Sequence, residues 1–439
     1  MKAKVAFYAL TVALAAITAV QAQPARLTDK DIVEAYKYML GRWLVLRQEN
    51  LDFKQGFKWN EIIHREPGGV DWANPNLDVV YSEAWLALDD KSCTLIDLPE
   101  IKGRYYTVEI LNGWGEVTAN INERTFPKHP FGKFAFCLKD TRPVLPKGTQ
   151  RVILPSRKSR ILLRIELGAH PANAIALQKK ITMKATGKPV IDEAVVKPDF
   201  PNDKLPGVEG FDKTEAILAS ERDINVGMIA VQEQARAVAK AAADPTQRAR
   251  IDEVIHKQAI PSFFAEIQKM GKMVNGWVRP SIIGNFRTDY EMRSITNYAG
   301  IWANNSKETI YFTAQGLDGS QTYTQTYPKD ALPASKTRYF WSVVAVDSVD
   351  FRVIPNSLNR YLFNKQSSLK LNDDGSLTLV FAPKQPDGIP ESNWLPTPNG
   401  KKYNLTYRFY GSSKDVADGV YYPPPLVAPK RPGLFGGRR

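Results

Sequence analysis

The chain has 439 residues, 43% of them hydrophobic, a formal charge of +13, two cysteines and four histidines. This is more apolar material than a disordered chain carries and more length than one core serves, so two domains are expected. The basic residues are interspersed with acidic ones, which argues against nucleic acid as a partner, and His64, His129, His170 and His256 are too scattered for a metal site of ordinary spacing.

Lys2 and Lys4 precede an apolar run from Val5 to Val20, and Val20-Gln21-Ala22 supplies the small residues of a cleavage site. Residues 1–22 read as an export signal, with the mature chain starting at Gln23 and a periplasmic or secreted location expected. Removing the two lysines takes the formal charge from +13 to +11. No later segment is long and apolar enough to cross a bilayer, so no stable membrane insertion is expected after cleavage.

Asp29 to Trp43 has helical spacing, with Ile32, Ala35, Tyr36, Met39 and Leu40 on one stripe. Asn74-Pro-Asn-Leu-Asp78 then forms a polar turn leading into a strand whose side chains alternate. Ser82, Ala84, Leu86 and Leu88 share one face, while Val79, Tyr81, Glu83, Trp85 and Ala87 share the other. Both faces are mostly apolar, so the strand should be covered on both sides. Further strand-like runs follow at Cys93–Leu98, Tyr105–Leu111, Phe134–Leu138 and Ile161–Leu167, punctuated by Gly and Pro. Cys93 and Cys137 sit in two of these runs. An oxidising compartment would let them pair across strands, although two separately buried thiols would leave the same sequence.

Gly187 to Gly210 has linker composition, and Thr214 to Met273 reads as helical. Asp244-Pro245 starts one helix there, with Ile251, Val254, Ile255 and Ala259 on its apolar stripe, and Pro261 is expected to end or kink it. Strands dominate from Trp277 to Tyr410, including Tyr339–Asp347, Tyr403–Tyr410 and a hairpin over Leu369–Phe381 turning at Asp374-Gly375. The division expected is 1–22 signal, 23–185 β-rich domain, 186–276 linker and helical connector, 277–427 second β-rich domain and 428–439 basic tail. The fold class is α+β, with two antiparallel β-sandwich-like domains joined by helices.

Several phrases carry a family resemblance. In the first half they are Asn74-Pro-Asn-Leu-Asp-Val-Val-Tyr-Ser-Glu-Ala-Trp-Leu, Gly103-Arg-Tyr-Tyr and Trp114. In the second they are Arg279-Pro-Ser-Ile-Ile-Gly-Asn-Phe, Asp289-Tyr290, Phe340-Trp-Ser-Val, Asn359-Arg-Tyr, Asp374-Gly-Ser-Leu and Ser392-Asn-Trp-Leu-Pro. The chain resembles bacterial exported proteins that pair two domains of unknown function, numbered twelve-fifty-four at the amino end and twelve-fourteen at the carboxyl end. The resemblance implies the architecture and no settled activity.

No Cys-x-x-Cys, Gly-x-Ser-x-Gly elbow, phosphate loop or dinucleotide fingerprint occurs, so no cofactor and no metal is expected. Asn76, Asp78, Tyr81, Arg104, Tyr106 and Trp114 offer an amide, a carboxylate, a guanidinium and aromatic faces. Meeting at one rim, they would suit a small organic or carbohydrate ligand; dispersed, they would be turn caps, an ion pair and core. Trp341, Arg360, Tyr361 and Trp394, with Asp347, Asn359 and Asn393, form a second group, read either as latches tying strand ends or as a carboxylate seat at Arg360. The expected function is binding of a small ligand in the envelope. The alternatives are an enzyme using Asp78 with Tyr81 or Arg104, and a structural or assembly protein. Whether the chain forms a homo-oligomer is left open.

Overall fold

The computed structural model describes residues 27–68, 73–191, 195, 199–267 and 269–428. The expected leader and all but the first residue of the expected tail lie outside them. Helix α1 (Asp29–Lys54) starts from a reciprocal cap: the Thr28 hydroxyl accepts from the Asp31 N–H, and the Asp31 carboxylate accepts from the Thr28 N–H. It runs well past the expected end at Trp43. Tyr36, Tyr38, Leu40, Arg42 and Trp43 are all buried, so this helix is covered on several sides and a single stripe understates it.

The first sandwich contains β1 (Ile63–His64), β2 (Val79–Ala87), β3 (Thr94–Leu98), β4 (Tyr106–Leu111), β5 (Val117–Ile121), β6 (Gly132–Cys137), β7 (Gln150–Ile153) and β8 (Lys158–Glu166), followed by α2 (Pro171–Gln178) and β9 (Thr182–Ala185). One sheet has the order β1-β2-β8-β4-β5 and the other β7-β6-β3-β9. Every residue of β2 is buried. Its alternation divides the core: Val80, Ala84 and Leu86 pack against Ile96, Phe134 and Phe136 of the facing sheet, while Val79, Tyr81 and Trp85 look outward into a second apolar cluster. Cys93 and Cys137 flank the paired strands β3 and β6 and are joined by a disulfide, with Cα atoms 4.6 Å apart.

The helical segment comprises α3 (Thr214–Ser220), α4 (Ile229–Ala241), α5 (Pro245–Val254) and α6 (Ile260–Ile267). Asp244 caps α5 by accepting the Gln247 N–H, with Pro245 at the first position. Pro261 does not end this helix. A π-helical turn over Ile255–Ala259 comes just before it, so the hydrogen-bond ladder shifts where proline withholds its N–H and the chain continues as α6. Val231, Ala235, Val238, Ile251 and Ile255 share one core with α1.

The second sandwich contains β10 (Gly271–Val274), β11 (Trp277–Pro280), α7 (Tyr290–Gly300), β12 (Thr309–Asp318), β13 (Tyr323–Tyr327), β14 (Thr337–Asp347), β15 (Leu362–Asn364), β16 (Leu377–Ala382), β17 (Trp394–Pro396), β18 (Lys402–Ser412) and α8 (Lys414–Ala417). Its sheets have the orders β10-β11-β12-β18-β14-β15 and β13-β16-β17. The pairs β6–β7 and β16–β17 are parallel, and the other strand pairs are antiparallel. The expected hairpin over Leu369–Phe381 is only half present. The turn forms, with the Asn372 N–H reaching the Ser376 carbonyl at 2.8 Å, but β16 pairs with β13, and Lys370 is tied instead to the Asn393 carboxamide.

The outward faces of the two large sheets pack on each other. Val79, Tyr81, Trp85 and Tyr105 of the first half share a cluster with Trp302, Phe340 and Tyr410 of the second. Helix α7, capped by Asp289 on the Met292 N–H, lies between this junction and α1. Gly41 lets α1 and α7 meet, because a Cβ there would stand 2.7 Å from Ser294 Oγ.

Candidate functional site

The turn Asn74–Asp78 leaves its own sandwich and is bonded into the other. Asn74 Oδ1 accepts from Thr406 Oγ1 at 2.9 Å, its carbonyl accepts from Arg408 Nη2 at 2.7 Å, and its Nδ2 donates to the Ala299 carbonyl at 2.7 Å. Asn76 Oδ1 accepts from the Asp78 N–H at 2.8 Å, which fixes the carboxamide so that Nδ2 donates to Tyr410 Oη at 2.8 Å. Asp78 Oδ1 accepts from Asn364 Nδ2 at 2.7 Å. Among the described residues no backbone N–H is bonded to this carboxylate, and Arg104, a partner of Asp78 in the enzyme alternative, is bonded to the Glu166 carbonyl instead. Burial pushes it up to about 6, against the opposing pull of Ser342, Asn364 and Arg408.

Behind the turn, between the two large sheets, lies a narrow cleft with a cavity volume of about 90 Å³. Its floor follows from strand alternation. In β18 the residues Tyr403, Leu405, Tyr407 and Phe409 point into the second sandwich, which leaves Thr406, Arg408 and Tyr410 on the opposite face; in β12, Ile310 and Phe312 point inward and Tyr311 and Thr313 outward. Tyr311 and Arg408 are direct partners across the two strands, as are Thr313 and Thr406. Met292, Ile295 and Ala299 of α7, with Met270 and Ile283, make the apolar wall, and Asn76, Tyr81 and Arg164 come from the first half. Arg164 is committed: Nη1 meets Glu109 at 2.5 Å and Asn304 Oδ1 at 3.1 Å, Nη2 donates to the Trp302 carbonyl, and the guanidinium lies 5.6 Å from the Tyr81 ring centre.

Of the first expected rim, Asn76, Asp78 and Tyr81 come together at this junction, and Asn76 and Tyr81 line the cleft. The others lie apart. Arg104 Nη1 donates to the Glu166 carbonyl at 2.8 Å, Tyr106 is a core residue of the first sandwich whose hydroxyl donates to the Pro130 carbonyl, and Trp114 sits in the helical core with Arg293 4.4 Å above its ring. In the second group, Trp341 is core, Trp394 Nε1 donates to the Ala382 carbonyl, and Tyr361 donates to Asn359 Oδ1. The carboxylate opposite Arg360 is the chain's own Glu391, at 2.9 Å. Arg164, Tyr311, Arg408 and Tyr410 were missed by sequence reasoning. The available signal was the polar alternation Asn404, Thr406, Arg408, Tyr410, which has the pattern of a solvent-facing side. Among the described residues no group of three or more His, Cys, Asp or Glu is placed to hold a metal ion, and no helix is long and apolar enough to cross a membrane.

Residues 59–185 match the family described as protein of unknown function (DUF1254), and residues 308–414 match protein of unknown function (DUF1214). No curated protein matches the chain. The crystal structure of the VPA0106 protein from Vibrio parahaemolyticus is similar, with a TM-score of 0.60 at 19% identity, over 92% of this chain and 100% of that one. An uncharacterized protein from Burkholderia cenocepacia aligns with a TM-score of 0.43 at 12% identity, over 88% of this chain and 90% of that one.

Proposed function

Since the chain pairs a domain of the DUF1254 family with one of the DUF1214 family, we propose that it is a binding protein whose ligand, a small organic molecule, occupies the cleft that the two halves build together. The observation that carries this reading is the composition of the cleft. Polar side chains from both halves converge on one side and methionine and isoleucine side chains line the other, the usual make-up of a small-molecule site. The apolar wall favours an organic compound over a sugar, which would present hydroxyls on every side. The hydrogen bond of Arg104 to the Glu166 carbonyl, the Arg360–Glu391 ion pair and the cap role of Asn76 favour binding over catalysis at those positions. An envelope location is supported by the Lys2–Ala22 pattern and by the Cys93–Cys137 bridge, which an oxidising compartment maintains.

The test is a thermal-shift screen of the full chain against aromatic acids, aliphatic acids and sugars, repeated with Ala299→Trp, which fills the cleft from α7. A ligand present at a hundred times its Kd stabilises by about 2.7 kcal/mol. That stabilisation is expected in the parent and absent in Ala299→Trp. A hit that stabilises both proteins equally binds elsewhere and removes the cleft from consideration.

A further inference from the structure

The hydrogen-bond balance of the cleft floor is one-sided. Tyr410 Oη receives Asn76 Nδ2 at 2.8 Å and Asn304 Nδ2 at 3.2 Å, so both of its acceptor positions are used. The orientation of both amides is fixed from their other ends, because Asn76 Oδ1 accepts from Asp78 and Asn304 Oδ1 from Arg164. The phenolic proton of Tyr410 meets no acceptor among the described residues. Tyr311 repeats the arrangement: its oxygen accepts the Asn304 N–H at 3.2 Å and Asn304 Nδ2 at 3.4 Å, and its proton too is left over.

Arg408 adds charge to this excess of donors. Its side chain is 2% exposed, Nη2 is used on the Asn74 carbonyl, and Nη1 has no partner. No carboxylate among the described residues stands within ion-pairing distance of it, whereas the other arginine of the cleft, Arg164, is neutralised by Glu109. Among the described residues no Asp or Glu lines the cleft. Strand register places Arg408 beside Tyr311, with Tyr410 next along the same face of β18. Two phenolic hydroxyls and one guanidinium edge therefore share a surface richer in donors and positive charge than in acceptors; the unpartnered hydroxyl beside them, Thr313 Oγ1, can itself donate.

A neutral alcohol or amide sets a single acceptor oxygen against these three donors and brings donors of its own that need partners. A group that only accepts, and carries negative charge, satisfies them all. We propose that the ligand is a carboxylic acid with an apolar body, its carboxylate seated on Arg408, Tyr311 and Tyr410 and its hydrocarbon part against Met270, Met292 and Ile295; this rests on the cleft reading above. Binding requires no covalent step. The carboxylate replaces its hydration shell with the three donors, and the apolar body is withdrawn from water against the α7 wall.

The experiment pairs acids with neutral analogues of the same shape: benzoate with benzamide and octanoate with octanamide, titrated calorimetrically into the full chain, into Tyr410→Phe and Tyr311→Phe, and into Ala299→Trp. At least one acid is expected to bind the parent roughly tenfold or more tightly than its amide, as charge-assisted bonds exceed neutral ones. Each tyrosine variant should shrink that acid-to-amide ratio toward one. Because the ratio is taken within one protein, a general loss of stability in a variant cancels. An amide that binds as tightly as its acid, with both lost in Ala299→Trp, overturns the carboxylate seat and leaves the cleft reading standing. Binding that Ala299→Trp does not touch, or no binding in either series, overturns the seat and the cleft reading together.

Discussion

Asp78 is a charge held where water does not reach: it is 4% exposed, Oδ1 is bonded to Asn364, and Oδ2 lies near Ser342 without a formed hydrogen bond. Desolvation raises its folded pKa from the usual 3.8 to about 6. The sign of the linkage follows. The folded chain holds this proton more tightly than the unfolded one, so the contribution to stability is fully present below 3.8, falls as pH rises through the interval up to about 6, and is absent above it. Asp78→Asn keeps an acceptor for Asn364, removes the buried charge and offers an N–H to the Ser342 hydroxyl. The variant is therefore expected to match the parent in urea unfolding at pH 4 and to exceed it at pH 8 by on the order of 2 kcal/mol. An equal loss of stability at both pH values would show that the carboxylate is a favourable ionic contact, and this account of the residue would fail.

At the scale of the element, alternation carried most of what was legible beforehand. The nine buried residues of β2 and their division between two faces follow directly from the order of side chains in Val79–Ala87. The same rule in β18 separates Arg408 and Tyr410 from the core face, yet it cannot distinguish a polar face in water from one buried beneath another sheet. That is why these residues were overlooked and Tyr106, Trp114 and Trp341, aromatic residues of the packed core, were put forward. Asn76 and Tyr81 were legible because a turn running into a doubly covered strand already fixes their neighbourhood. The course of α1 beyond Trp43, the π turn before Pro261 and the partner of β16 all depend on contacts distant in sequence. The bridge between β3 and β6 closes a loop of sequence separation 44, for which chain entropy gives a stabilisation of about 2–4 kcal/mol. Peptide mapping of the exported, unreduced protein should recover Cys93 and Cys137 in one linked peptide and Gln23 at the amino terminus. Full alkylation of both thiols without reductant, or an intact Met1, would contradict the respective half of this expectation.

For the whole molecule, the junction of the two sandwiches is built as an interior. Glu308, at 1% exposure, accepts from Tyr105 Oη at 2.9 Å, from Asn122 Nδ2 at 3.1 Å and from Arg124, so the residue just before β12 of the second half has all these partners in the first. Buried ion pairs of this kind are strongly destabilising when one partner is taken away. The aromatic cluster around Trp85, Trp302 and Phe340 is equally shared, and α1 lies in one core with α4 and α7. Neither half therefore has a complete surface by itself. Produced as separate polypeptides, residues 27–190 and 199–428 should each bind an apolar dye strongly and should lose that signal on mixing, with a one-to-one complex in sedimentation. Two dye-silent, monomeric halves would refute the shared interior.

The turn at Asn74 reaching to Thr406 and Arg408 also bears on heredity. A protein whose cleft is completed by its own second half cannot exchange that half freely: a shuffled partner must supply the acceptors and donors that the turn expects, on strands of matching register. Covalent linkage holds the two at a high effective concentration and delivers them in fixed ratio. Substitutions at Asn74 or Asn76 should thus be tolerated only with compensating changes in β18, so that the two segments, more than three hundred residues apart, behave under selection as a single locus.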